Sequence, residues 1–207
     1  LLFINRQNTA KNELDYNRVI GVDYNLLSKD GVWDGKFYFH NSFSTLNKTN
    51  PFSTGFTLSY NTRNNSIYSK VIRIGEGFES DLGFIRRKGI FKNYFRYERR
   101  FWFKNKKIRS INVISSLAYI DKPENESLIT DRNYRLGLQF DFNSMAGIDI
   151  SLRKDYTHLE DSFNPLRSFA VNPLPANSNY NYSYLEFGYK NDQRKKISYR
   201  FEFKNGD

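Results

Sequence analysis

The sequence predicts an all-β fold, an antiparallel up-and-down transmembrane β-barrel or a large segment of one, with about ten or eleven strands in this chain. Three observations predict it. Segments of about ten residues alternate apolar and polar side chains, aromatic residues are plentiful while aliphatic ones are few, and the polar side of the alternation carries opposed charges.

The alternation is clearest in residues 133–142, where Tyr134, Leu136, Leu138, Phe140 and Phe142 interleave with Asn133, Arg135, Gly137, Gln139 and Asp141. Five consecutive matches to a period of two define the two faces of a strand and cannot form a helical stripe. The same pattern sets Phe37, Phe39 and Phe43 against Lys36, Tyr38, His40 and Ser42, and Phe56, Leu58 and Tyr60 against Gly55, Thr57 and Ser59. It recurs with Ile148, Ile150 and Leu152 against Asp149, Ser151 and Arg153, and with Leu185, Phe187 and Tyr189 against Glu186, Gly188 and Lys190. A last segment opposes Ile197, Tyr199, Phe201 and Phe203 to Ser198, Arg200, Glu202 and Lys204. Weaker patterning predicts further strands over 18–28, 67–74, 91–103 and 108–120. No amphipathic helix is evident.

Asn, Asp, Gly and Lys fill the links, as at Asn143-Ser144 and 191–195; the first three favour the positive φ and local hydrogen bonds of hairpin turns. Two stretches break the rhythm. Residues 75–89 (GEGFESDLGFIRRKG) predict a long turn or a loop folded inward. Residues 161–182 hold Pro165, Pro173 and Pro175, which lack the backbone donor a central strand needs, and predict a long ordered loop at one rim.

Composition agrees with strands. The 207 residues, enough for one domain spanning 1–207, include 19 Phe, 15 Tyr and 2 Trp. Aromatic and β-branched residues suit strands, whereas a helical bundle wants Leu and Ala. With no Cys there is no disulfide and no thiolate chemistry. No apolar run approaches the roughly 18 residues of a transmembrane helix, which leaves strand-crossing of a membrane untouched.

A soluble sandwich also alternates, so the polar face decides. Its positions Arg96, Glu98, Arg135, Asp141, Asp149, Arg153, Glu186, Lys190, Arg200 and Glu202 carry charges of both signs, able to cross-link neighbouring strands around a wet lumen. Tyr60, Tyr119, Tyr134, Tyr156 and Tyr189 fall near expected strand ends, where a membrane interface favours such rings. The chain begins at Leu1 and reads as an internal segment of a longer polypeptide.

Several stretches resemble a barrel family of Bacteroidota-type envelopes, catalogued as a domain of unknown function and usually C-terminal to a type-nine-like carbohydrate-binding domain. They are Leu2-Phe3-Ile4-Asn5-Arg6 with Asn17-Arg18-Val19-Ile20-Gly21-Val22-Asp23-Tyr24, then Asp34-Gly35-Lys36-Phe37 and Leu82-Gly83-Phe84-Ile85-Arg86-Arg87. Leu159-Glu160-Asp161-Ser162-Phe163 and Leu174-Pro175-Ala176-Asn177-Ser178-Asn179-Tyr180 follow in the same order. The resemblance implies a barrel in the bacterial outer membrane, in contact with lipid and other envelope proteins. A glycan would be held by a domain outside this segment. It carries over no catalytic residues.

The side chains that bear chemistry are sparse. His40 and His158 are the only histidines, and neither has convergent partners at fixed spacing, so no metal or catalytic site is assigned. Gly75-Glu76-Gly77 lacks the remaining glycines and following helix of a phosphate-cradling loop, and no cofactor is expected. Glu79 and Asp81 are an acid–base pair in principle, but Arg86, Arg87 and Lys88 stand nearby in sequence. The run 94–107 (YFRYERRFWFKNKK) mixes rings with cations as a single-strand nucleic-acid groove would, although alternation on either side favours a strand ending at a cationic rim, and no nucleic-acid partner is expected. The net charge of +10 is then placed on lumen cations and rims facing anionic headgroups.

The expected function is a non-enzymatic outer-membrane barrel serving as anchor, channel or assembly component of a surface glycan-handling or protein-assembly system. Two alternatives stay open: a barrel-embedded hydrolase, and a soluble basic β-protein that binds single-stranded nucleic acid.

Overall fold

A computed structural model describes residues 1–8, 15–45, 48–125, 128–166 and 172–207. It contains eleven strands in chain order: β1 (Leu2–Gln7), β2 (Tyr16–Leu27), β3 (Trp33–Ser44), β4 (Phe52–Asn61), β5 (Asn65–Ile74) and β6 (Ile90–Trp102) come first. β7 (Ile108–Lys122), β8 (Leu128–Phe142), β9 (Gly147–Leu159), β10 (Ser178–Lys190) and β11 (Arg200–Gly206) complete the set. All belong to one antiparallel sheet whose spatial order is the chain order, the up-and-down topology the alternation predicts. β1 and β11 stand at the two ends of that order, so the sheet is not closed. No helix occurs among the described residues.

The expected strands are all present, and most run a few residues longer than their cleanest alternation. Leu2–Gln7 is the strand the patterning does not single out; it pairs with β2 from Leu2 opposite Gly21 to Gln7 opposite Tyr16. Two boundaries differ. The last expected strand loses Ile197–Tyr199 to the β10–β11 turn, where the Asn191 side chain replaces ladder bonds: its Nδ2 donates to the Ile197 carbonyl at 2.8 Å, and the Tyr199 N–H donates to its Oδ1 at 2.9 Å. The proline-rich loop ends sooner than expected, because β10 begins at Ser178, immediately beyond the span of the three prolines. Residues 167–171 of that stretch lie outside the described residues.

Contacts gather in two compact units. One holds Leu1–Asn61, Tyr68–Tyr94 and Ile120–Leu128; the other holds Thr62–Ile67, Phe95–Tyr119 and Ile129–Asp207.

In both units the two faces of the strands have the polarity of an inside-out protein. Among the described residues, the buried apolar side chains are Val19, Phe78, Ile90 and Ile114, while the buried polar ones include Asn17, Ser42, Ser110, Asn112, Asp141, Ser151 and Asp155. Exposure runs the other way, with Ile20, Val22 and Tyr24 on β2, Phe37, Phe39 and Phe43 on β3, and Leu136, Leu138 and Leu152 on β8 and β9. Register makes these faces continuous: Leu136 pairs with Leu152 and Leu138 with Ile150, which in turn pairs with Phe187. The opposite rows align Arg135 with Arg153 and Ser151 with Glu186.

Candidate functional site

In the second unit, residues of β6 to β11, most of them on the polar face, line an open cavity of about 380 Å³. Eight of the ten charged positions expected to share a lumen line it: Arg96, Arg135, Asp149, Arg153, Glu186, Lys190, Arg200 and Glu202. The remaining two touch the same network of side chains. Glu98 accepts from Arg96 and from Arg100, each at 2.9 Å. Asp141, nearly buried, accepts from Ser110 at 3.0 Å, Asn112 at 3.1 Å and Gln139 at 3.0 Å.

Some opposed charges pair along one strand, as Arg200 does with Glu202, and others pair across strands. Arg135 on β8 donates to both oxygens of Asp149 on β9, at 2.9 and 3.0 Å. Glu186 on β10 accepts from Arg153 on β9 at 2.6 Å and from Lys204 on β11 at 2.7 Å, while the Ser151 hydroxyl donates to it at 3.1 Å. One carboxylate therefore ties three strands, and Lys204 is a member that sequence reasoning placed on the polar face without assigning it a partner. Farther along the same face, Asp155 accepts from Asn133 at 2.8 Å and from the Tyr184 hydroxyl at 3.1 Å. The cavity walls are thus a hydrogen-bonded lattice in which most charges already have a partner, suited to holding strands in register around water.

The first unit carries a different device. The segment 75–89 folds onto the polar side of β2 and β3, the second of the two forms, long turn or inward loop, that its Gly and charge content suggested. Its backbone is clamped by side chains: the Glu79 N–H donates to the Ser42 hydroxyl at 3.0 Å, the Asp81 N–H to Asn17 Oδ1 at 3.2 Å, and Asn17 Nδ2 to the Glu79 carbonyl at 3.2 Å. Phe78 beside this clamp is buried. Gly77 is required there, since a Cβ would stand 2.2 Å from the Thr49 carbonyl oxygen.

Glu79 and Asp81 are held apart by separate cations rather than facing each other as an acid–base pair. Lys48 bonds the Glu79 carboxylate and Lys88 approaches it at 3.4 Å. Asp81 accepts from Arg6, which also bonds Asp15. The hydrogen bond from Lys48 holds the Glu79 carboxyl below its usual range, against a smaller opposing effect of partial burial.

Each histidine sits in a satisfied strand position. His40 Nε2 lies 3.3 Å from Asp23, to which Lys36 also bridges at 3.0 Å. His158 Nδ1 lies 2.7 Å from Asn179 Oδ1, its cross-strand partner. Among the described residues no three His, Asp or Glu side chains gather as a metal site.

The aromatic and basic run 94–107 covers most of β6 and the following turn. Arg96, Glu98 and Arg100 take the polar face, and Phe95, Tyr97 and Phe101 take the exposed one. At the strand end Arg63 and Arg100 stack on Trp102, at 5.6 and 5.5 Å from the ring centroid. Tyr60 and Tyr189 do close their strands, and each meets a ring across its hairpin: Trp33 at 4.7 Å and Tyr199 at 6.0 Å. Tyr134 and Tyr156 instead lie inside β8 and β9, where Arg132 stacks on both rings. They mark the end of the apolar rows Leu138–Ile150 and Leu136–Leu152, next to Arg132 and Asn133 on β8 and Thr157 and His158 on β9.

Two pairs among the stretches that carry the family resemblance are partners in the structure. Leu2–Arg6 and Asn17–Tyr24 are partners in the β1–β2 ladder, and Phe163 and Leu174 exchange backbone hydrogen bonds at 3.0 and 2.8 Å. The chain matches no known family model, no curated protein and no solved structure.

Proposed function

We propose that this chain is an outer-membrane β-barrel segment, with lipid against its apolar face and water against its charged one. It serves as the anchor, channel or assembly component of a surface glycan-handling or protein-assembly system and performs no catalysis itself. The observation that carries this reading is the inverted polarity of the strands. Ser, Asn and Asp are buried where a water-soluble sheet would bury Leu and Phe, and Phe, Leu and Ile cover the open face. In water each such apolar side chain would forgo roughly 1.5–3 kcal/mol of burial, a cost that hydrocarbon removes.

Two further features support it. The uncovered apolar rows of β8 to β10 are bounded by rings and cations, Tyr189 at one side and Arg132 between Tyr134 and Tyr156 at the other, as interfacial anchors would be. The connections after β2, β4, β6, β8 and β10 span three to nine residues, and those after the odd strands five to eighteen. Outer-membrane barrels place short turns in the periplasm and longer loops outside the cell. The link to glycan handling or protein assembly rests on the family resemblance of β1–β3, the 75–89 loop and the 159–180 stretch.

The test is fractionation of cells expressing the full chain. Retention in the membrane pellet through alkaline carbonate, release only by detergent, and a heat-modifiable shift on gels are expected. Release by carbonate alone would overturn the reading.

A further inference from the structure

In an up-and-down sheet, alternate connections lie at opposite ends, and the sequence distributes charge unequally between them. The five connections after the even strands hold eight Lys and Arg against two Asp, whereas those after the odd strands hold six against nine Asp and Glu. The excess is densest at Lys104, Lys106 and Lys107, all exposed, in the turn after β6.

Beside that turn, in the second unit, lies a recess of about 410 Å³ lined by Arg63, Asn64, Arg99, Arg100, Phe101, Trp102 and Phe103. Three arginines and three aromatic residues line it, with no carboxylate among them. Arg100 is engaged by Glu98. Arg99 donates to Asn65 Oδ1 at 2.8 Å, and Arg63 stacks on Trp102, whose Nε1 donates to the Arg63 carbonyl at 3.2 Å. Neither Arg63 nor Arg99 meets a carboxylate among the described residues. Both are positioned by neutral partners and retain donors for an anion.

We infer that Arg63 and Arg99 form a binding site for the phosphate of an anionic phospholipid, seated at the boundary where the apolar face of β6 meets the short-turn end. The inference rests on the membrane reading above. A lipid fits better than a nucleic acid because Phe95, Tyr97 and Phe101 stand exposed on the same face of β6 as Arg99, where an acyl chain can lie against them. The rings nearest the cations are already covered by arginines at about 5.5 Å rather than left as base-stacking platforms.

The test uses the full chain purified in detergent, with lipid occupancy read by native mass spectrometry. Phosphatidylglycerol is expected to bind about tenfold more tightly than zwitterionic phosphatidylcholine, and the Arg63→Gln/Arg99→Gln variant to lose about tenfold, near 1.4 kcal/mol. The Lys29→Gln/Lys196→Gln variant, with equal charge loss in other even-strand turns, is expected to change binding by less than about twofold. Equal binding of the two lipids, equal losses in the two variants, displacement by millimolar inorganic phosphate, or preferential capture of an oligothymidine strand would each overturn the site. Where the arginine variant fails to give the heat-modifiable shift, the comparison of the two lipids on the unmodified chain decides. A chain that is monomeric without detergent overturns the membrane reading and the site together; a detergent-requiring, heat-modifiable chain without lipid preference overturns the site alone.

Discussion

The His40 ring packs against Gly21, its cross-strand partner, so closely that a Cβ on Gly21 would stand 2.1 Å from the ring's Cδ2. Tyr38 covers Gly55 in the same way on the next hairpin, with 2.4 Å left for a Cβ, and the two rings lie 4.9 Å apart. Glycine opposite an aromatic ring lets the ring shield the bare backbone from water and fixes register on a face otherwise made of small polar groups.

A side chain at Gly21 must therefore displace the ring and with it the His40–Asp23 contact. Gly21→Val is expected to destabilise the folded chain by about 1–3 kcal/mol, the usual cost of overpacking. Combined with His40→Ala, the same substitution should cost much less. Urea midpoints of the detergent-folded protein, read by the gel shift, measure both; equal costs in the two backgrounds would show that the ring does not fill this space.

Membrane assembly should be sensitive to which face is charged. Leu138→Arg puts a cation on the exposed apolar row and is expected to cost about 2–4 kcal/mol if near the bilayer midplane. Gln139→Arg, one residue on, points to the cavity beside Asp141 and Asp149 and should assemble normally. Equal assembly yields of the two variants in outer-membrane fractions would count against the face assignment.

Glu186 should matter more than Asp149, because it holds Arg153 and Lys204 together where, among the described residues, Asp149 pairs with Arg135 alone. Glu186→Ala leaves two cations facing each other across β10 and is expected to cost about 1–3 kcal/mol, with faster amide exchange in β11. Exchange confined to β9, with β11 unaffected, would contradict the three-strand role.

The 75–89 loop should loosen in acid. Glu79 has a folded-state carboxyl held below its unfolded value, so its contribution is present above the unfolded value and lost as pH falls through the folded one. Protection of the Glu79 and Asp81 amides is expected to decline below about pH 4, near the free glutamate value. Glu79→Gln should show reduced protection at neutral pH and little further change in acid. Protection independent of pH in the unmodified chain would remove Lys48–Glu79 from the clamp.

By itself the sequence determined the two faces of the strands, nearly all of their number, and the two long loops. Each is local: side chains alternate with a period of two whatever the partner strand, and proline or clustered glycine ends a ladder wherever it falls. The same reasoning extended β11 to Ile197 because Ile197 and Tyr199 keep the alternation, while nothing local reveals that Asn191 will take their backbone groups. Tertiary structure alone decided which charges meet. That Glu186 joins Arg153 and Lys204, that Asn17 and Ser42 clamp the loop backbone, and that Arg63 and Arg99 share a recess all depend on register between separate strands. Register follows from turn lengths and from how whole rows of side chains align, and no single stretch of the chain contains it.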